Sequence, residues 1–164
     1  MIKLVPLFFG FLLFLGTQHP KTPLSVGGME VGWEHKKDHI TFTATAPDNG
    51  WVALGFNTED HIVGSNLIMI NVTEEEVQSQ DLFVVSAGNP KPMHTLGAKS
   101  QILAYSGVEK NGKTTITFSL PTKTIDDYHL NLSEGQKIWL ICAYSMEDDF
   151  SHHSRMRKHI QVVL

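Results

Sequence analysis

Cysteine is nearly absent from this chain: Cys142 is the single one in 164 residues. One cysteine makes no internal disulfide and no cysteine-based zinc site. Within the apolar run "KIWLICAY" it reads as a small core hydrophobe. A chain of this length buries roughly two-thirds of its unfolded surface in one core, so it folds without a covalent staple. Charge is also sparse, at 18% of residues and a net −4, with no basic stripe. That balance excludes a general nucleic-acid-binding surface. Catalytic signatures are missing: there is no G-x-S-x-G elbow, phosphate loop, dinucleotide fingerprint or H-E-x-x-H, and the acidic "TEEE" reads as a solvated face. The chain is therefore expected to bind and not to catalyse, at most assisting electron transfer. No repeat, low-complexity tract or linker divides it, so one domain is expected.

No apolar run is long enough to be a comfortable membrane span. The run from Leu4 to Gly16 is about 13 residues, short of the roughly 20 that a helix needs to cross a bilayer core. With Lys3 ahead and the polar "TQHPKTP" behind, residues 1–18 have the layout of a secretory leader. An uncleaved anchor is the alternative, because only Gly16 and Thr17 offer small residues near the boundary. The protein is accordingly expected to be exported, periplasmic or extracellular, with membrane attachment only through an uncleaved leader.

What is abundant is period-two alternation at strand length. "DHITFTATA" sets Ile40, Phe42, Ala44 and Ala46 against threonines, the pattern of a strand with one wet face. "PDNG" follows as a tight turn. Further candidates are "GMEVGWEH", "WVALGF", "SNLIMINV", "DLFVVSAG", "QILAYSGVEK", "KTTITFSL", "KIWLICAY" and "HIQVVL", making about nine strands or more. Asn111-Gly112 joins two of them as a hairpin signal. Helix signals are confined to "TEEEVQSQ", which has room for one turn, and "TKTIDDYHLNL", which reads as a loop or a short helical turn. Many short strands without alternating helices argue for an all-β antiparallel sandwich.

Three of the nine histidines lie in the closing stretch "DDFSHHSRMRKHIQVVL". Neutral imidazole ligates haem iron, copper and zinc, and its second ring nitrogen needs an acceptor such as Asp148 or Asp149. His152 and His153 would face opposite ways on a strand but not in a loop. Arg155 and Arg157 are suited to forked hydrogen bonds with a carboxylate. His159, opening the last strand, has the weaker claim. The same stretch also suits a solvated basic loop guarding an edge strand. His61 reads as a turn residue or a ligand, Met69 as core filler or a ligand, and Met93-His94 as a surface turn. Trp33 and Trp51 read as core or as stacking platforms. Asn71 and Asn131 match the N-glycosylation pattern.

Taken in order, "GWVALGF", "VGSNLIMINV", "DLFVVSAGNPKP", "TITFSLP", "DDYHL", "KIWLICAYS" and the terminal "HHSRMRKHIQVVL" resemble the DOMON family, over residues 28–164. The resemblance implies an immunoglobulin-like β-sandwich, extracytoplasmic, holding b-type haem or a sugar. Its haem-binding members are electron-transfer modules with one histidine and one methionine on the iron. By that resemblance His152 is the axial histidine, with His153 as the adjacent alternative. Ile62 stands where the family's methionine is expected, so His61 or Met69 would supply the opposite ligand. A His61/His152 pair would have a lower potential than a His/Met pair. Asn66 replaces the family's Asp, and Lys158 lies near its glycine. Arg155 and Arg157 are the candidates for the propionates. Haem b is thus the expected cofactor and a redox protein, met in trans, the expected partner. The alternatives are a haem-free carbohydrate- or protein-recognition module and a copper or zinc site on His152 and His61.

Overall fold

The computed structural model describes residues 23–164, so the expected leader lies outside the described residues. Eleven strands form in chain order: β1 (Leu24–Val26), β2 (Met29–His35), β3 (His39–Ala46), β4 (Val52–Asn57), β5 (Asn66–Val72), β6 (Val77–Ser86), β7 (Asn89–Pro92), β8 (Ala104–Lys110), β9 (Lys113–Pro121), β10 (Lys137–Tyr144) and β11 (Met156–Val163). They build two antiparallel sheets, one ordered β1-β2-β3-β9-β8 and the other β11-β10-β4-β5-β6-β7. The only helical element among the described residues is a single 3-10 turn, Met93–Leu96. Among these residues no helix is long and apolar enough to cross a membrane.

The expected all-β antiparallel sandwich is what forms, with two strands beyond the nine candidates. β1 has only three residues, and β7 is "NPKP", whose prolines are tolerated because it lies at a sheet edge. The stretch "TEEEVQSQ" holds no helical turn. Thr73 Oγ1 accepts from the Glu76 amide and the Thr73 amide donates to the Glu76 carbonyl, which closes a tight turn, and β6 begins at Val77. The last strand starts at Met156, three residues earlier than its alternation indicates.

Period two becomes packing in β3 and β9. Ile40, Phe42, Ala44 and Ala46 enter the core from β3, and Ile116, Phe118 and Leu120 from β9. Their opposite faces carry hydroxyl pairs across the ladder, Thr41 with Ser119 at 2.8 Å and Thr45 with Thr115 at 2.9 Å. The centre of the core is aromatic. Phe42 lies 5.0 Å from Phe56 and 5.5 Å from Phe118 between ring centroids, so one ring on β3 meets β4 of the other sheet. Cys142 is buried in the same core, and burial pushes its thiol up to about 12, which leaves it an inert hydrophobe.

Turn chemistry fixes the corners. Asn111 and Gly112, at φ of 54° and 71°, make the expected primed hairpin between β8 and β9. Gly50 closes "PDNG" at φ 143°, where an added Cβ would come within 2.7 Å of the Ser145 carbonyl and the Glu147 amide. That approach joins the start of β4 to the segment after β10.

Replacing Phe42 by alanine is expected to cost about 3–5 kcal/mol, measured by urea unfolding. Thr43→Ala, on the exposed face beside it, should stay within about 0.5 kcal/mol. Equal losses at the two positions would contradict this assignment of the core.

Candidate functional site

The six-stranded sheet has a second buried face. Along β4, Val52, Leu54 and Phe56 point into the core between the sheets, while Ala53 and Gly55 point outward, and all six residues of the strand are buried. The ladder sets Ala143, Ala53 and Met69 side by side, and beside them Ile141, Gly55 and Leu67. Small residues on the middle strand leave a shallow apolar floor. A Cβ on Gly55 would sit 3.1 Å from Ile141 and 3.3 Å from Leu67, so those two side chains close over the glycine.

Around this floor is a depression of about 130 Å³, walled by Trp51, Ile62, Val84, Pro90, Ser154 and Arg157. Two loops form its flanks. The first follows β4, and the buried Asn57 fixes it: Asn57 Nδ2 donates to the carbonyls of His61 at 2.6 Å and Val63 at 3.2 Å, and Asn57 Oδ1 accepts from the Thr58 amide at 2.7 Å. Ser65 Oγ donates to the Ile62 carbonyl at 2.6 Å. Ile62 is thereby held at the rim. The second loop follows β10 and is tied back where the Ser145 amide donates to the Trp51 carbonyl at 2.9 Å, Ser145 Oγ to the His153 carbonyl at 3.3 Å, and the Arg155 amide to the Tyr144 carbonyl at 2.8 Å.

Of the residues singled out from the sequence, Met69 lies in the floor and Arg157 in the wall. His61, His152 and His153 are exposed, on the two flanking loops and not in the lining. His61 Nδ1 is turned to its own loop, 3.2 Å from the Val63 carbonyl and amide. Arg155 points away, with Nε 3.5 Å from Asp48 and Nη1 on Met146 Sδ. His159 shares the outer face, opposite Ile141 in the ladder, and its Nδ1 is 2.9 Å from Asp60 Oδ1. Asp149 accepts from the Ser151 amide and hydroxyl, which hold its carboxyl below the usual range. Trp51 walls the depression and Trp33 packs against the core, both with an indole N–H that has no partner. Asn71 is 4% exposed and its Nδ2 donates to the Asp148 carbonyl, so in the folded chain this sequon is closed, whereas Asn131 is exposed. Met93 is buried within the 3-10 turn, and His94 is exposed.

Sequence reasoning missed Ile141, Val84, Pro90 and Asn57, whose part depends on register and on the return of distant loops. It also missed a buried cluster at the other end of β6, where His129 lies between Asp81 and Asp126.

The DOMON domain model matches residues 25–145. The chain belongs to the DOMON family. Among solved structures, this DOMON chain is similar to the cytochrome b domain of pyranose dehydrogenase from Coprinopsis cinerea, with a TM-score of 0.60 at 9% identity, over 82% of this chain and 76% of that one. It is also similar to the cytochrome domain of Myriococcum thermophilum cellobiose dehydrogenase, with a TM-score of 0.58 at 11% identity, over 89% of this chain and 79% of that one. At these identities the likeness concerns the fold. No curated protein matches the chain.

The site's chemistry suits the body of a haem better than its iron. An apolar floor, a guanidinium at the rim for a carboxylate, a thioether in the floor and the orphaned Trp51 Nε1 all fit a flat apolar ligand with acidic groups. Ile62 offers iron no lone pair. Among the described residues no three of His, Cys, Asp and Glu converge on one metal position.

Asp148, in the second flanking loop, has its carboxyl held above the usual range by burial and then by Glu109 and Glu147. A raised carboxyl favours the fold while protonated and loses that benefit as pH rises through its folded value. Asp148→Asn is therefore expected to raise the thermal midpoint at pH 7 and to leave it nearly unchanged at pH 3. A lower midpoint at pH 7 would show that the carboxylate is needed.

Proposed function

We propose that this DOMON domain binds b-type haem in the outer-face depression and serves extracytoplasmic electron transfer to a redox protein met in trans. The observation that carries this is the position of the depression. It is enclosed by the loop bearing His61 and Ile62 and by the loop bearing His152 and His153, with Met69 between them in the floor. In this role His152 is the axial ligand, with His153 its neighbour in reserve, and His61 or Met69 takes the opposite side. Arg157 binds a propionate, and Arg155, held by Asp48 and Met146, fixes the loop that presents the histidines. Haem supplies a one-electron couple when bound, and the chain's part is to ligate it, exclude water and set its potential. Cytochrome domains of two dehydrogenases share the fold, which supports the haem reading.

A haem-free recognition module for a carbohydrate or a protein is favoured by two observations. The depression of about 130 Å³ is below the several hundred Å³ of ordinary small-molecule sites, and Ile62 occupies the rim where the family resemblance calls for a ligand. In that case Trp51 and Arg157 would recognise a smaller partner group.

The decisive test is the absorption spectrum of the chain exported from a haem-replete host, oxidised and then reduced with dithionite. A Soret band with sharp reduced α and β bands, lost in His152→Ala, is expected. A folded, colourless protein that rejects added haemin would overturn the haem function and favour the recognition module. In the haem-loaded protein with His61 opposite His152, Ile62→Met is expected to raise the reduction potential by replacing that imidazole with a thioether. An unchanged potential in a redox titration would place the sixth ligand elsewhere.

A further inference from the structure

Outside the lining of the depression, His129 is 6% exposed and sits between two carboxylates. Its Nε2 is 3.2 Å from Asp81 Oδ2, and its Nδ1 is 2.8 Å from Asp126 Oδ1. The side chains of His129 and Asp81 are 3% and 2% exposed, so this is an interior charge cluster. Its connections run across the fold. Asp81 belongs to β6 and also accepts from Asn66 of β5 at 2.7 Å, from the Ser100 hydroxyl at 3.0 Å and from the Gln101 amide at 2.9 Å. Gln101 Nε2 reaches Asp126 Oδ2 at 3.1 Å and Thr124 Oγ1 at 3.1 Å. Asp126 accepts from the Tyr128 and His129 amides, which sets the loop's own turn.

That loop, residues 122–132, covers the outer end of β6. The ring of Tyr128 lies edge-on to Phe83 of β6 at 5.1 Å between centroids, and its hydroxyl points to the Leu96 carbonyl after β7. Phe83 adjoins Val84, and Val84 with Pro90 of β7 forms one wall of the ligand depression. Phe83 and Val84 point to opposite faces of β6, so the loop bears on the back of the strand that forms the wall and is linked to it through that strand's backbone.

We infer that Asp81, His129 and Asp126 form a proton-dependent clasp that locks loop 122–132 onto the β6–β7 wall while His129 is an imidazolium and releases it when His129 is neutral. With both ring nitrogens protonated, His129 donates to both carboxylates. The neutral ring has one N–H, so one carboxylate oxygen then faces a lone pair, and Gln101 Nε2, 3.1 Å from Nδ1, can donate to that nitrogen without replacing the lost bond to the carboxylate. Two carboxylates around one cation leave a net negative cluster that the cation partly offsets, and losing it leaves the buried Asp81 and the partly exposed Asp126 as uncompensated like charges. The titratable groups facing His129 are these two carboxylates. Gln101, Thr124, Ser100 and Asn66 are neutral, and Lys99 and His94 line the groove beside Asp81 as exposed groups.

The direction of titration agrees. Burial alone would lower the imidazole's pKa, but hydrogen bonds and charge from Asp81 and Asp126 outweigh it and raise the value above 6.5. Asp126 shows the complementary shift: burial would raise its carboxyl, and His129 and the Tyr128 amide hold it below 3.8. A raised histidine stabilises fully below 6.5 and loses that contribution as pH rises through its folded value. A lowered carboxyl stabilises above 3.8 and loses that as pH falls through its folded value. The clasp therefore holds over the interval between those two folded values and opens on the alkaline side through His129.

The test uses the full haem-free chain. The His129 ring resonances are followed by NMR from pH 5 to 9, together with amide exchange of residues 122–132 corrected for intrinsic rates. A midpoint above 6.5 is expected, with protection of the loop falling at least about tenfold across it. Asp126→Asn should lower the midpoint by about 1–3 pH units. His129→Gln should leave the loop poorly protected at every pH. A wild-type midpoint at or below 6.5, or loop protection that does not follow the His129 titration, overturns the clasp whether or not either variant folds.

Discussion

The structure depends on one strand that is buried on both faces. β4 must present large side chains to the core between the sheets and small ones to the outer face, and "VALGF" does so with Val52, Leu54 and Phe56 inward and Ala53 and Gly55 outward. The inward set meets Phe42 and Phe118 and joins the two sheets. The outward set keeps the floor low enough for Ile141, Leu67 and Met69 to line a depression. Packing and ligand site are thus coupled through alternate residues of one short segment. A substitution that enlarges the outward set would fill the site, and one that shrinks the inward set would loosen the fold.

The two flanking loops are built for position. Asn57 places its side chain on four backbone groups so that Ile62 stays at the rim, and Ser145 with the Arg155 amide folds the terminal loop back toward Trp51. The histidines occupy the solvent side of these loops while apolar groups face the depression. Ile62 itself has no lone pair to offer, so in the proposed haem role the second ligand is His61 or Met69.

Much of the fold was legible because period-two alternation and turn chemistry are local. "DHITFTATA", Asn111-Gly112 and "GWVALGF" each declare their conformation within a few residues. β1 and β7 were not legible, being short or rich in proline, and the turn at Thr73 imitates a helix start through its hydroxyl and acidic neighbours. The site was half legible. Met69 and Arg157 reach the depression as their residue types allowed, but Ile141, Val84 and Pro90 acquire their place only when strand register is set. The Asp81–His129 contact joins residues 48 apart, and neither motif nor spacing marks it. Exposure of His152 and His153 likewise follows from the path of the loop and not from composition.

The central claim is that the outer face of the six-stranded sheet, floored by the small residues of β4, is where this DOMON domain takes its ligand. A haemin titration of the folded chain beside its Ala53→Phe variant tests this most directly, because Ala53 lies in the floor and its replacement fills the depression from below. The account predicts saturable uptake by the unaltered chain and none by a variant whose circular dichroism remains that of a β-sandwich. Equal uptake by both would contradict it.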